Sequence, residues 1–126
     1  MKRILAVDDS VSIREMVQFT LKQAGYHVDA AVDGVDGLEK AKTGHFDLII
    51  SDINMPRMDG ISLIRQLRNE RTYKFTPILM LTTESGSDKK MDGKSAGATG
   101  WIVKPFNPEN SLLPCKKYWG KNGYRS

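Results

Sequence analysis

A chain of 126 residues can close one hydrophobic core without disulfides but leaves no room for a second domain of ordinary size. Its single cysteine, Cys115, excludes an intrachain bridge, and no Cys/His cluster has zinc spacing, so a reducing, cytoplasmic setting is expected. The net charge of +4 suggests nucleic acid, yet residues 1–110 balance fifteen Lys and Arg against fifteen Asp and Glu; the surplus is Lys116, Lys117, Lys121 and Arg125, all in the last stretch.

The opening "MKRILAVDDS" has an apolar run cut off by Asp8 and Asp9, too short for a signal peptide or a membrane span, and residues 3–7 are expected as a first strand. Next, Ile13, Met16, Val17, Thr20, Leu21 and Ala24 recur at helical spacing, with Ser10 as N-cap and Gly25 in the left-handed position past the end. A second strand is expected at 27–32, and Asp33 caps a helix over 34–43 that stops at Gly44. "FDLIIS" (46–51) predicts a third strand, "GISLIRQLRNE" a third helix with Ile61, Ile64 and Leu67 inward, and "PILMLT" (77–82) a fourth strand. A helix over about 87–97 carries Gly93 in its interior, which lowers its propensity, and "GWIVK" (100–104) completes the series. Such alternation predicts βα units on a parallel sheet, and strands near-continuous in Val, Ile and Leu predict that both faces are covered.

In an open sheet of that kind, ligands bind beyond the carboxyl ends of the strands. There the sequence places Asp8 and Asp9 after the first strand, Asp52 after the third, Thr82 and Thr83 at the fourth, and Lys104 and Pro105 at the fifth. Three carboxylates on one edge repel unless a proton or a cation intervenes, and a hard divalent ion such as Mg²⁺ suits an all-oxygen donor set. Lys104 adds a positive charge, which with a metal and an acid points to a phosphoryl group. Asp52, alone at the end of a central strand, is the candidate nucleophile toward phosphorus, Asp8 and Asp9 are the metal pair, and Thr82 is a donor to a phosphoryl oxygen. Each could instead be a plain strand-end or turn residue. Other motifs fail on single positions: Asn54 stands where a dehalogenase-type phosphatase needs its second Asp, Pro56 breaks an EF-hand loop, and Asp88 replaces the first Gly of a P-loop.

The acidic pair in "VDDS", the block "DINMPRMDG", the run "LMLTTE" and the terminal "KPF" occur in that order within residues 2–110, and together they resemble response-regulator receiver domains of the CheY type. The resemblance implies an α/β, flavodoxin-like, doubly wound five-stranded parallel sheet of order 2-1-3-4-5. It also implies that Asp52 is the phosphoacceptor, that Asp8, Asp9, Asp52 and the backbone carbonyl of Asn54 hold Mg²⁺ or Mn²⁺, and that Lys104 pairs with the phosphoryl group. Thr82 takes the place of the switch hydroxyl, Trp101 that of the switch aromatic, and Pro105 follows Lys104 in a peptide bond that is commonly cis in the family.

A histidine kinase is the implied phosphodonor and a downstream protein the target, with a weak Mg²⁺-dependent self-phosphorylation and dephosphorylation that falls short of an enzyme in the usual sense. Chemotaxis regulators are similar in their short length and in "TTE" after the fourth strand, which makes a flagellar motor switch component the expected target. A diffusible phosphorelay intermediate and a phosphorylation-independent binding scaffold are the other readings. No DNA-binding domain and no membrane segment are expected, which implies a stand-alone role.

The end departs from the family. "NPENSLLPCKKYWGKNGYRS" starts as a helix, with Asn107 as N-cap and Pro108 at its first position, but Pro114 removes a helical hydrogen bond, and Gly120 and Gly123 weaken any helix beyond it. A receiver domain is therefore expected over 1–110 and an atypical basic tail over 111–126, with the fifth helix shortened or disrupted. Tyr118, Trp119 and Tyr124 among its basic residues suit single-stranded nucleic acid as well as a solvated terminus. An exposed apolar patch on the sheet and self-association through the altered C-terminus are the expected consequences.

Overall fold

Residues 2–82 and 87–104 are described by the structure, a computed structural model. In chain order the elements are β1 (Arg3–Val7), α1 (Val11–Gln23), β2 (His27–Ala31), α2 (Gly34–Thr43), β3 (Leu48–Asp52), α3 (Gly60–Arg68), a 3-10 turn (Arg71–Tyr73), β4 (Ile78–Thr82), α4 (Ser87–Ala96) and β5 (Gly100–Val103). Among the described residues no helix is long and apolar enough to cross a membrane. The segment 111–126, the fifth helix, Thr83 and Pro105 lie outside the described residues.

The strands form one parallel sheet in the order β2-β1-β3-β4-β5, as the resemblance implied. Alternate strand residues point to opposite faces, and both are apolar. Leu5, Val7, Ile49, Ile78 and Met80 meet Ala41 of α2, Leu63, Ile64 and Leu67 of α3 and Ala96 of α4; Ile4, Ala6, Leu48 and Ile50 meet Val17 and Leu21 of α1. This division explains why the strands read as unbroken apolar runs. Leu79, Leu81 and Ile102, on the same face as α1, are 0%, 1% and 1% exposed, so the apolar patch expected on the sheet is absent at these positions.

Helix entries follow the side chains that the sequence supplied. Ser10 Oγ accepts from the Ile13 N–H at 3.4 Å, Asp33 Oδ1 from the Asp36 N–H at 2.9 Å and Asp59 Oδ1 from the Ser62 N–H at 2.8 Å. Past α1, Gly25 takes φ +96°, a conformation that strains any residue with a Cβ. Gly93 has a packing reason for its place in α4: a Cβ there would lie 2.2 Å from the Met80 sulfur on β4.

Three details differ from expectation. Met16 is 42% exposed and Ala24 is exposed, because the buried stripe of α1 is Val17, Thr20 and Leu21 with Ile13 at its edge. In α3, Leu63 joins Ile64 and Leu67 at the centre of the core, and Ile61 packs only at its margin. The third strand begins two residues later than the apolar run, at Leu48, and ends on Asp52, which is in register with Leu81. Asp47 accounts for the late start: its carboxylate accepts from the Arg3 N–H at 2.9 Å while its own N–H reaches the Arg3 carbonyl at 2.7 Å.

Candidate functional site

Because the strands are parallel and in register, the ends of β1, β3, β4 and β5 share one edge of the sheet. Asp8 follows β1 and is 2% exposed, Asp52 closes β3 at 9%, and Asp9 projects into solvent. Carboxylate oxygens of all three lie within 4.8 Å of one another. Lys104, just past β5, enters the same space, with its Nζ 3.0 Å from Asp52 Oδ1 and 3.8 Å from Asp8 Oδ2. Thr82 ends β4 at 4% exposure, and its carbonyl accepts the Lys104 N–H at 2.8 Å, which ties the lysine to the switch candidate's backbone.

The acids are held from behind. Asp52 Oδ1 accepts from the Ile53 N–H at 2.9 Å, and Ser51 Oγ donates to the Asp52 carbonyl at 2.8 Å. Asp8 Oδ1 accepts from the Ser10 N–H at 2.9 Å, and Arg14 Nη1 donates to the Asp8 carbonyl at 2.8 Å. Asp8 Oδ2, however, is buried and has no hydrogen-bond partner. Burial pushes the Asp8 carboxyl above its ordinary value, with the charges of Asp52 and Asp9 adding to the effect and the Ser10 N–H and Lys104 opposing it.

The loop from β3 to α3 carries the remaining candidates. Asn54 is exposed and lines a cleft of about 320 Å³ with Ile53, Asp59 and Arg65. Gly60 is irreplaceable by a larger residue without movement: a Cβ there would lie 2.0 Å from the Asp52 carbonyl oxygen. Trp101 is 41% exposed on β5, in register with Met80. His27 and His45 are exposed and lie away from the acidic edge, at the opposite ends of their strands.

One pair here was invisible from the sequence. Arg57 Nε lies 2.7 Å from Asp33 Oδ2 and Nη2 3.2 Å from Oδ1, joining this loop to the N-terminus of α2. The Arg57 guanidinium, helped by the Asp36 N–H, holds the Asp33 carboxyl below its ordinary value. Asp33 was legible as a helix cap, but nothing in the spacing of residues 33 and 57 announces a partner.

Residues 4–113 match the response regulator receiver domain family. The chain belongs to that family. A receiver domain is a phosphorylation-controlled signalling switch acted on by histidine kinases and acting on downstream targets, and it binds Mg²⁺ at an acidic pocket. Among solved receivers, the chemotaxis response regulator CheY4 of Vibrio cholerae is 56% identical, with a TM-score of 0.88, covering 93% of this chain and 98% of that one. The receiver domain of the sensor histidine kinase PA1611 from Pseudomonas aeruginosa, with a magnesium ion coordinated in its active-site cleft, is 27% identical with a TM-score of 0.79, covering 86% of this chain and 88% of that one. The transcriptional regulatory protein PhoP of Bacillus subtilis, which controls alkaline phosphatase synthesis, is 42% identical over 107 residues, 85% of this chain and 44% of PhoP. This receiver therefore spans less than half the length of that relative.

The receiver's acidic edge fits a divalent cation on its own geometry. Three carboxylates converge, the donors are all oxygen, and the buried Asp8 Oδ2 lacks a hydrogen-bond donor that a cation would replace.

Proposed function

We propose that this receiver accepts a phosphoryl group from a histidine kinase on Asp52 and changes conformation to regulate a partner protein in chemotaxis. The observation that carries the reading is the Lys104 ammonium 3.0 Å from Asp52 Oδ1, with Asp8 and Asp9 within 4.8 Å of the same carboxylate. Asp52 is the nucleophile: one of its oxygens bonds to phosphorus while the bond from phosphorus to the donor's histidine nitrogen breaks, and that nitrogen takes up a proton. The rigid seat of Asp52 at the end of a fully buried strand holds the attacking oxygen in place.

Asp8, Asp9, Asp52 and the backbone carbonyl of Asn54 are the residues that would hold Mg²⁺. When bound, the ion supplies positive charge to the phosphoryl oxygens. Lys104 is placed to pair with those oxygens, and Thr82, on the adjacent strand, to donate its hydroxyl to them. Trp101 repacks when Thr82 moves, a change that requires a difference of only a few kcal/mol between two packings. Water later hydrolyses the acyl phosphate, which gives the chain a slow phosphatase activity toward its own product.

The chemotaxis assignment rests on the 56% identity to CheY4 over nearly the whole of both chains, and it makes a flagellar motor switch component the expected target in the cytoplasm. Acetyl phosphate with Mg²⁺ tests the chemistry. Mass spectrometry should find one added phosphoryl group on the parent and none on Asp52→Asn; equal labelling of the two, or an unmodified parent, would sink the reading.

A further inference from the structure

Arg57 is the one non-glycine residue with positive φ among the described residues, at +66°. The Met58 N–H donates to the Pro56 carbonyl at 2.7 Å, so residues 56–58 close a three-residue turn around Arg57. With φ positive at its centre this is the γ-turn that L-residues find strained, and such strain persists only where the surroundings impose it.

The surroundings here are specific. The guanidinium grips Asp33 with two hydrogen bonds, and Asp33 is 5% exposed and already engaged as the cap of α2. The next residue, Gly34, donates its N–H to the Met58 carbonyl at 3.1 Å. A Cβ on Gly34 would lie 2.2 Å from that oxygen, so only glycine permits this approach. At the far end of the loop, the Gly60 N–H donates to the Ile53 carbonyl at 2.7 Å. Residues 53–60 thus form a loop closed between its own first and last residues directly after the strand that carries Asp52, and tied through Arg57 and Met58 to the start of α2.

We infer that Arg57 is a positioning residue for the divalent-cation site: its grip on Asp33 holds the strained turn that orients the Asn54 backbone beside Asp52. The inference rests on the Mg²⁺ site proposed above. Arg57 itself touches none of the three clustered carboxylates; it acts through the loop. A guanidinium is suited to this, since its planar fork takes both oxygens of one carboxylate, which an ammonium does not.

The test is an amide chemical-shift titration with MgCl₂ on the parent, Arg57→Ala, Arg57→Gly and Asp33→Asn, with a thermal melt of each. Asparagine keeps the helix cap but loses the charge, and glycine relieves the turn's strain but loses the grip. Both Arg57 variants and Asp33→Asn should bind Mg²⁺ at least threefold more weakly than the parent. Arg57→Gly should melt higher than Arg57→Ala while binding no better, which a role in stability alone does not produce. The Asp33→Asn/Arg57→Ala double variant should bind like either single one. Arg57→Gly that binds Mg²⁺ as the parent does overturns the inference and leaves the metal site standing. A parent without a saturable shift, indistinguishable from Asp9→Asn, overturns both.

Discussion

Replacing Asp8 by asparagine should stabilise the protein while weakening its hold on Mg²⁺. Asp8 Oδ2 is buried without a hydrogen bond, a defect that costs about 1–3 kcal/mol for a polar group and more for a charged one. The Asp52 carboxylate, within 4.8 Å, adds repulsion of at least about 3 kcal/mol at an effective dielectric constant of about 20. Lys104 at 3.8 Å returns about 4 kcal/mol of attraction on the same scale. These pair energies nearly cancel, so desolvation decides the sign. Asparagine keeps the oxygen that accepts the Ser10 N–H and replaces the orphaned oxygen with an amide that can donate to Asp52.

A net gain of about 1–2 kcal/mol is expected, which for a chain of this size raises Tm by about 3–8 °C. Its pH dependence is fixed by the raised Asp8 pKa. From 3.8 up to the shifted value the folded parent holds more protons than the unfolded chain, so its stability falls as pH rises through that window. The gap between variant and parent is therefore full at neutral pH and closes in acid. Circular-dichroism melts at acid and neutral pH, with EDTA and with MgCl₂, measure it; Mg²⁺ should raise the parent's Tm more than the variant's. A variant that melts no higher than the parent at neutral pH with EDTA, or a gap unchanged in acid, refutes the reasoning.

Arg68 joins three segments, donating to the carbonyls of Gly97 at 2.9 Å and of Tyr73 and Thr76 at 2.7 Å each. Arg68→Ala should cost about 2–3 kcal/mol in urea unfolding, the worth of about one well-formed charge-assisted bond, because the half-buried guanidinium gives up part of its hydration to make all three; Arg68→Lys should recover less than half, since the bonds need the fork's geometry. Tyr73, 1% exposed, donates its hydroxyl to the Ala41 carbonyl at 2.6 Å, and Tyr73→Phe should lose about 1–2 kcal/mol in the same assay without changing acetyl phosphate labelling. Gly60→Ala forces a Cβ to within 2.0 Å of the Asp52 carbonyl oxygen, so a folded variant with a displaced loop and slower labelling of Asp52 is expected; labelling at the parent's rate would mean that the loop does not set the reactive geometry.

Much of the fold was legible because its signals are local. Ser10 and Asp33, read as caps from the sequence, do cap their helices through side-chain bonds spanning three residues, and alternating apolar runs of strand and helical period mark the βα units; the same kind of bond from Asp59 to α3 emerged only in the structure. Asp8, Asp9, Asp52, Thr82 and Lys104 could be placed on one edge because parallel strands bring all their carboxyl ends together. Offsets of one or two residues, as at the start of β3, arose where a side chain such as Asp47 competed for the backbone of Arg3.

Sequence by itself thus determined which residues share the acidic edge, since periodicity and strand direction are properties of neighbouring positions. Only the tertiary structure decided how they are held: that Asp8 is buried with an oxygen that accepts no hydrogen bond, that Arg57 closes a strained turn against Asp33, and that Arg68 draws α3, the segment before β4 and the end of α4 together. The hydrogen bonds of Arg57 and Arg68 reach across 5 to 31 residues of chain. They depend on angles and on the exclusion of water, which exist only once both faces of the sheet are covered.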